Sequence, residues 1–331
     1  MLLRWVLGGI MKPTQIDAAV QEVLNQIDAT KTPANEILNA YTRARRYIGS
    51  KDRKALTQKV WDVLRARPMP EWLKTLISPK EQDAMNGSAQ FILRVNGDRL
   101  EIQKALSAQG IETELTKLSP IGLICSKRFD LHTNPLYQQG RIEVQDEGSQ
   151  LAALATKINP EDTVLDYCAG AGGKSLCFAW MMQGKGKIVA HDVSKRSLQE
   201  LQKRANRAGV CIETTLNPQG VFSQVVVDAP CSGSGTWRRC PDAKLKLTQE
   251  QVKTLTLLQS EILDKASQFV ALNGKLHYIT CSLLEVENQK QMRSFLKRHP
   301  DFKLIHHQQW TPATTHTDGF FLASFQRVNN D

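Results

Sequence analysis

TVLDYCAGAGGKSLCFAWMMQ (163–183) is the stretch that decides the fold. Thr163 to Tyr167 is a short apolar run of the length of a buried strand, and Lys174 to Gln183 is apolar over helical length. Between them Gly170, Gly172 and Gly173 allow a tight turn and a close backbone approach to a ligand. Such a turn can also mean no more than close packing of a helix on a strand. Strand, glycine turn and helix form the opening unit of an open parallel sheet, in which ligands sit at the carboxyl ends of the strands.

Toward the C-terminus the same rhythm repeats. KIVAHD (187–192) reads as a strand, SKRSLQELQKRANRAG (194–209) as a helix closed by Gly209, and VVVDA (225–229) as a strand. TQEQVKTLTLLQSEILDKASQFVAL (248–272) reads as one amphipathic helix ending at Asn273-Gly274, followed by the strand KLHYIT (275–280) and the helix EVENQKQMRSFLKRH (285–299). FKLIHH (302–307) and GFFLASFQR (319–327) close the sheet as a hairpin, with Phe320 and Phe321 in the core and no chemistry expected of them. Toward the N-terminus, FILRVNG (91–97), DRLEIQKALSAQG (98–110) and GLICS (122–126) predict a strand, a helix and a strand. Apolar residues from Gln15 to Arg67 recur at helical spacing until Pro68 and Pro70 interrupt them. The expected order is a short basic helical region over 1–70, a small α/β unit over 71–142, and a Rossmann-like α/β domain with an open, mostly parallel sheet over 143–331.

The chain has 331 residues, 41% apolar and 23% charged, which suits two or three globular domains. Net charge is +10, which points to a polyanionic partner. Between Tyr41 and Arg67 nine Lys or Arg face two Asp. A basic run can be only a solvated helix face, but this one carries most of the excess, and phosphate binding is the better reading. Seven cysteines, an odd number with no CxxC pair, argue against a zinc site or a disulfide framework and suit a cytoplasmic protein. No metal is expected. The apolar opening MLLRWVLGGIM holds Arg4, lacks a cleavage site and is too short to span a bilayer; it reads as packing or as an over-extended start before Met11. No membrane association and a monomer are expected.

Asp192 closes the strand 26 residues after Asp166, where an acid suits a ribose diol; Ser194 is the more natural helix cap. Up to that point a dehydrogenase and a methyltransferase read alike. DAPCSGSGTWRRCPD (228–242) places Asp228 and Cys231 just beyond one strand, and HYITCS (277–282) places Cys281 just beyond the next. Either cysteine alone is most simply a buried structural thiol. Successive strands usually lie side by side, so two thiols and a carboxylate should meet over the cofactor. A dehydrogenase has no use for them. Methylation of cytosine at carbon 5 does: a thiolate adds to carbon 6, an acid steadies the ring nitrogen, and a second group helps release the product.

These residues resemble the Sun-type family of RNA cytosine-5 methyltransferases, and within it the bacterial small-subunit ribosomal RNA methyltransferase B group. Five strings in order carry the likeness: VQDEGSQ (144–150), LDYCAGAGGK (165–174), DAPCSGSGTWRRCPD (228–242), YITCSLLEVEN (278–288) and DGFFLASFQR (318–327). The resemblance implies a class I methyltransferase domain using S-adenosylmethionine. It implies Cys281 as nucleophile, Cys231 as the aid to product release, and Asp228 and Lys174 at the base. Cys168, Ala169, Gly170, Ala171, Gly172, Gly173, Lys174, Asp192, Arg196 and Asp228 would hold the cofactor. The family's further Asp after the third strand is missing, since IETTLNPQGVFSQ (212–224) offers only Asn217. The N-terminal part is also shorter than the group's helical RNA-binding domain, with only ILNAYTRARRYIGSKDRKAL (37–56) similar to it.

For an RNA partner, 16S ribosomal RNA by the resemblance, Arg43, Arg45, Arg46, Lys51, Arg53 and Lys54 would contact phosphates. Trp237, Arg238 and Arg239 would stack on or clamp nucleotides, Trp237 being equally readable as a core anchor. Arg94 and Asn96 are further candidate contacts. The rivals are a non-catalytic RNA-binding or ribosome-assembly factor on the same fold, a transfer RNA cytosine-5 methyltransferase, and an enzyme methylating DNA or an amino nitrogen. The complete set of Cys231, Cys281, Asp228, Lys174 and Asp192 argues against a retired enzyme. Asp-Ala-Pro-Cys in place of the Asn/Asp-Pro-Pro-aromatic of amino-group enzymes argues against the last.

Overall fold

A computed structural model describes residues 11–329, so all of the apolar opening run except Met11 lies outside the described residues. The chain forms two compact units, one of Met1–Ser88 with Thr236–Thr248 and the other of Ala89–Gly235 with Gln249–Asp331.

The first unit is built on helices α1 (Pro13–Ala29), α2 (Ala34–Ala44) and α3 (Ser50–Ala66). Ile16, Val20, Val23, Leu24 and Ile27 lie at helical spacing on the buried face of α1 and pack with Leu38, Tyr41, Leu56, Val60 and Leu64. Pro13 at the first turn of α1 has no amide to leave unpaired. The inserted segment is tied to these helices. Asp242 accepts from the Ala34 amide at 3.0 Å, and Lys244 and Lys246 donate to the carbonyls of Arg65 and Thr32 at 2.8 and 2.6 Å.

The second unit holds two sheets. The smaller comprises β1 (Phe91–Val95), β2 (Thr113–Leu115), β3 (Gly122–Cys125) and β4 (Ile142–Val144), antiparallel in the order β2-β3-β1-β4. Helix α4 (Arg99–Ser107) packs on it and is capped by Asp98, which accepts from the amides of Leu100 and Glu101. A further helix, α5 (Glu147–Leu154), leads to the larger sheet. Its strands are β5 (Thr163–Asp166), β6 (Lys187–His191), β7 (Glu213–Thr215), β8 (Phe222–Asp228), β9 (Val270–Thr280), β10 (Phe302–Trp310) and β11 (Phe320–Arg327). The order is β10-β11-β9-β8-β5-β6-β7, parallel from β7 through β9, with β11 and β10 antiparallel. Connecting helices are α6 (Gly173–Met181), α7 (Lys195–Arg207), α8 (Gln249–Ser267) and α9 (Gln289–Arg298).

Helices cover both faces, which is why the central strands read as continuous apolar runs. Val164, Ala190, Val226 and Ile279 face one core, and Leu165, Val189, Val225, Val227 and Tyr278 the other. Phe320 and Phe321 are buried as expected. One expectation is corrected: α8 stops at Ser267, and the residues read as its end begin β9. Pairing decides this. The Phe222 amide donates to Phe269 O at 2.8 Å, and Val270 sits opposite Phe222 in the parallel ladder. Strands β2, β4 and β7 span three residues each, too short to show an alternation. With β6 on one side of β5 and β8 on the other, the order reverses at β5, and the loops after these strands open onto one crevice.

Candidate active site

The loop after β5 is the glycine turn. Gly170 and Gly172 take φ of +53° and +83°, and a Cβ on Gly172 would lie 2.5 Å from Leu201. Asp192, just past β6, accepts from the Gly170 amide at 2.8 Å and the Ser194 amide at 2.8 Å, while Ser194 caps α7. Arg196 lies exposed on the first turn of that helix. Asp166 ends β5 beneath the turn at 1% exposure, and Ser175 donates to its Oδ2 at 2.6 Å. Burial pushes its carboxyl up to about 7, against the pull of the Ser175 hydroxyl. Burial likewise pushes the Cys168 thiol up.

Beside the turn, Lys174 on α6 is buried and donates to Asp228 Oδ2 at 2.5 Å. Burial works against its charge, but the Asp228 carboxylate and the bond to it hold the ammonium above its ordinary value. The Lys174 ammonium also lies over the Phe320 ring, 5.1 Å from its centroid, so the closing hairpin reaches the site after all. Asp228 keeps a third of its side chain exposed (33%).

The two cysteines meet. Cys231, three residues beyond β8, and Cys281, the residue after β9, place their sulfurs 3.4 Å apart, both half-buried and both free thiols. Their surroundings differ in charge. Cys281 lies within electrostatic reach of the Lys174 ammonium. Cys231 is held far up as a thiol, first by its hydrogen bond to Cys281, then by burial, the Cys281 charge and Glu287.

Sequence reasoning missed what holds the sulfurs together. Glu287, 0% exposed, accepts from the Ser232 amide at 2.8 Å and from the hydroxyls of Ser232 and Ser282, one from each cysteine loop. Gln259 on α8 ties the same carboxylate to Pro230 O, with bonds of 3.0 and 2.9 Å. Gly235 N donates to Cys281 O at 2.9 Å, and a Cβ on Gly235 would strike Gly319 O at 2.3 Å. Glu287 lies in the quoted YITCSLLEVEN, but nothing in the string marks it as buried or names its partners.

Other expectations are corrected. Trp237 and Arg238 are 1% and 8% exposed, so Trp237 is an anchor and offers no face for a nucleotide to stack on. Arg94 is fully buried, and Asn96 spends its amide on Gly140 O at 2.6 Å; neither is placed to touch RNA. Asn217 lies exposed after β7, and its backbone amide is held by Thr215. Of the N-terminal cations, Arg43, Arg46, Lys51, Arg53 and Lys54 are exposed, whereas Arg45 pairs with Glu22 at 3.2 Å and lies over the Tyr41 ring. Among the described residues no cluster of three or more His, Cys, Asp or Glu is placed to hold a metal, and no helix is long and apolar enough to cross a membrane.

A parallel sheet with an antiparallel edge, a glycine turn after its first strand and acids closing the next strands together define a Rossmann-like class I methyltransferase fold. The solved structure of NSun6 from Pyrococcus horikoshii shares it, with a TM-score of 0.71 at 17% identity over 81% of this chain and 98% of that one. Residues 153–326 match the family described as 16S rRNA methyltransferase RsmB/F, and the chain belongs to that family. It is 32% identical over 281 residues to the probable ribosomal RNA small subunit methyltransferase B of Bacillus subtilis (strain 168), covering 76% of this chain and 61% of the relative. It is 30% identical over 301 residues to the ribosomal RNA small subunit methyltransferase B of Pseudomonas syringae pv. tomato, covering 85% of this chain and 66% of the relative. The chain thus spans less than two thirds of the length of these two relatives.

Proposed function

We propose that this chain methylates carbon 5 of a cytosine in RNA with S-adenosylmethionine, by transient attachment of the base to Cys281. The observation that carries this reading is the pair of sulfurs 3.4 Å apart at the ends of two adjacent parallel strands, next to the Lys174–Asp228 pair. The names of the relatives favour a small-subunit ribosomal RNA substrate, and the thiols suit the cytoplasm.

The residues fit the cofactor. S-adenosylmethionine is cationic at its sulfonium and ammonium, and Asp192 and Asp228 stand at the ends of β6 and β8 beside the glycine turn. A Cβ on Gly170 or Gly173 would meet nothing within 4 Å, so the turn leaves open space on its ligand side. Cys168 to Gly173, Asp192 and Arg196 would hold the cofactor, which when bound supplies an electrophilic methyl group.

Cys281, within electrostatic reach of the Lys174 ammonium, attacks carbon 6 as thiolate, and the ring's 5,6 electrons shift to make carbon 5 nucleophilic. Asp228, kept in place by Lys174, shares a proton with the ring nitrogen and so steadies the negative charge that develops there. Once carbon 5 carries the methyl group, water takes its proton, the 5,6 double bond re-forms, and the carbon–sulfur bond breaks with its electron pair returning to the Cys281 sulfur. Cys231, held as a thiol, donates its hydrogen bond to the departing Cys281 sulfur.

The test is transfer of labelled methyl groups to RNA lacking the modification. Cys281→Ala should abolish transfer. Cys231→Ala should instead accumulate a protein–RNA adduct that survives a denaturing gel. Adduct formation by Cys281→Ala and none by Cys231→Ala would reverse the two roles, and absence of transfer by the unmodified chain would end the reading.

A further inference from the structure

Arg94 and Glu143 face each other across β1 and β4 of the smaller sheet, at 0% and 3% exposure. Glu143 takes Arg204 and Arg207 of α7 as its partners, the first at 3.0 Å. Arg204 in turn donates from Nη1 to the carbonyl of Ala171 at 2.7 Å. Arg94 donates from Nη1 to the carbonyl of Gly173 at 3.2 Å, and its Nε and Nη2 have no hydrogen-bond partner among the described residues. The Ala171 carbonyl lies in the glycine turn, and the Gly173 carbonyl belongs to the first residue of α6, where the turn ends. One cross-strand pair of the smaller sheet therefore reaches both ends of the segment 171–173, directly through Arg94 and by way of Arg204 from Glu143.

We propose that the Arg94–Glu143 pair positions the glycine turn for S-adenosylmethionine, which makes the smaller sheet part of the methyl-donor site. The inference rests on the cofactor assigned above. A turn with positive φ at Gly170 and Gly172 has few steric restraints of its own, so its amides keep one orientation only if something outside it holds the peptide planes. The 171–172 plane is fixed at both ends, because the Gly172 amide donates to Ala169 O at 2.9 Å while Arg204 holds the Ala171 carbonyl. Holding the Gly173 carbonyl fixes the Lys174 amide in the same way. A guanidinium buried without a carboxylate of its own costs several kcal/mol. That cost is intelligible if the arginine serves the turn, since a hydrophobic residue would fill the same space without it.

The positioning role is tested by measuring S-adenosylmethionine binding to the full chain by calorimetry. Binding of an RNA fragment and the thermal midpoint without cofactor are measured in parallel. Arg94→Met and Glu143→Gln should weaken cofactor binding roughly 3- to 30-fold with RNA affinity unchanged. Transfer should show a raised KM for the cofactor and a nearly unchanged kcat. Arg94→Lys, which keeps a donor for the Gly173 carbonyl, should recover part of the affinity and serves if Arg94→Met does not fold. Glu143→Gln combined with Arg204→Met should be no worse than the weaker single variant, because both interrupt one chain of contacts. Folded variants that bind cofactor like the parent would overturn the proposal, as would a loss confined to RNA binding. A parent chain that binds no S-adenosylmethionine would instead overturn the function on which it rests.

Discussion

Glu287 receives hydrogen bonds from the Ser232 amide and hydroxyl, the Ser282 hydroxyl and the Gln259 side chain, with no exposure to solvent. Its own carbonyl accepts from the Tyr278 hydroxyl at 2.6 Å. The acceptors of one carboxylate thus decide where two loops, and hence two sulfurs, come to rest. Glu287→Gln keeps the volume and one acceptor oxygen but presents an amide to hydroxyls that had been donating. It should cost about 1–3 kcal/mol in urea unfolding while lowering methyl transfer by at least tenfold, about 1.4 kcal/mol of barrier. A variant with normal transfer and only reduced stability would leave Glu287 a packing residue. The cysteines themselves were legible, because each follows a strand of recognisable pattern. Glu287 was not, since Ser232 lies 55 residues away in the chain and only the β8–β9 pairing brings them together. Trp237 shows the same gap in reverse: an aromatic beside two arginines reads equally as a nucleic-acid contact or a core anchor until its burial is known.

Among the elements, β8, β9 and β11 are joined by a single side chain. His277 on β9 shares a hydrogen bond with Ser324 of β11 at 2.8 Å and with Gln224 of β8 at 2.9 Å. Gln224 spends its amide on Asp162, so its oxygen must accept, and His277 therefore carries its proton on Nε2 and accepts at Nδ1 from the Ser324 hydroxyl. Burial drives this imidazole down to about 3 from 6.5, helped by Lys275 and His306 and opposed by Asp162. Because the folded value is lowered, the unfolded chain takes up the proton first. The contribution is complete above pH 6.5 and is lost as pH falls toward 3. At pH 5 the loss should be about 2 kcal/mol, from about 1.4 kcal/mol per pH unit below 6.5. Urea unfolding at pH 7 and pH 5 should show it in the parent and a smaller difference in His277→Gln. Equal pH dependence in both would mean that this histidine is not the group that titrates. The strands were readable from VVVDA and KLHYIT, but not the polar staple, since a histidine in an apolar run could equally face a ligand. The end of α8 was misread for a related reason: QFVAL carries on the apolar face of the helix before it, and only the ladder with β8 turns it into strand.

For the molecule as a whole, the charge excess and its place in the chain were plain from the sequence, whereas the insertion of Thr236–Thr248 into the helical unit was not. Nothing in WRRCPDAKLKL says that Asp242 will cap the Ala34 amide 208 residues away. The structure also sorts the basic run into two kinds. Arg45, Lys59, Arg65 and Arg67 pair with Glu22, Asp17, Asp62 and Asp28 and are accounted for by the helical unit itself. Arg43, Arg46, Lys51, Arg53 and Lys54 have no ion pair among the described residues, and Lys51 and Arg53 stand in the first turn of α3. Cations there oppose the helix dipole and cost a few tenths of a kcal/mol each. The helix dipole therefore does not explain Lys51 and Arg53, and under the proposed function all five cations are assigned to RNA phosphates. Replacing all five with Gln should leave the thermal midpoint equal or higher and S-adenosylmethionine binding unchanged. It should reduce the slope of log affinity for RNA against log salt by about 4, close to one released counterion per lost contact. Methyl transfer should then fall through the KM for RNA while kcat holds. An unchanged salt slope in the fivefold variant would place the RNA-binding charge elsewhere on the molecule.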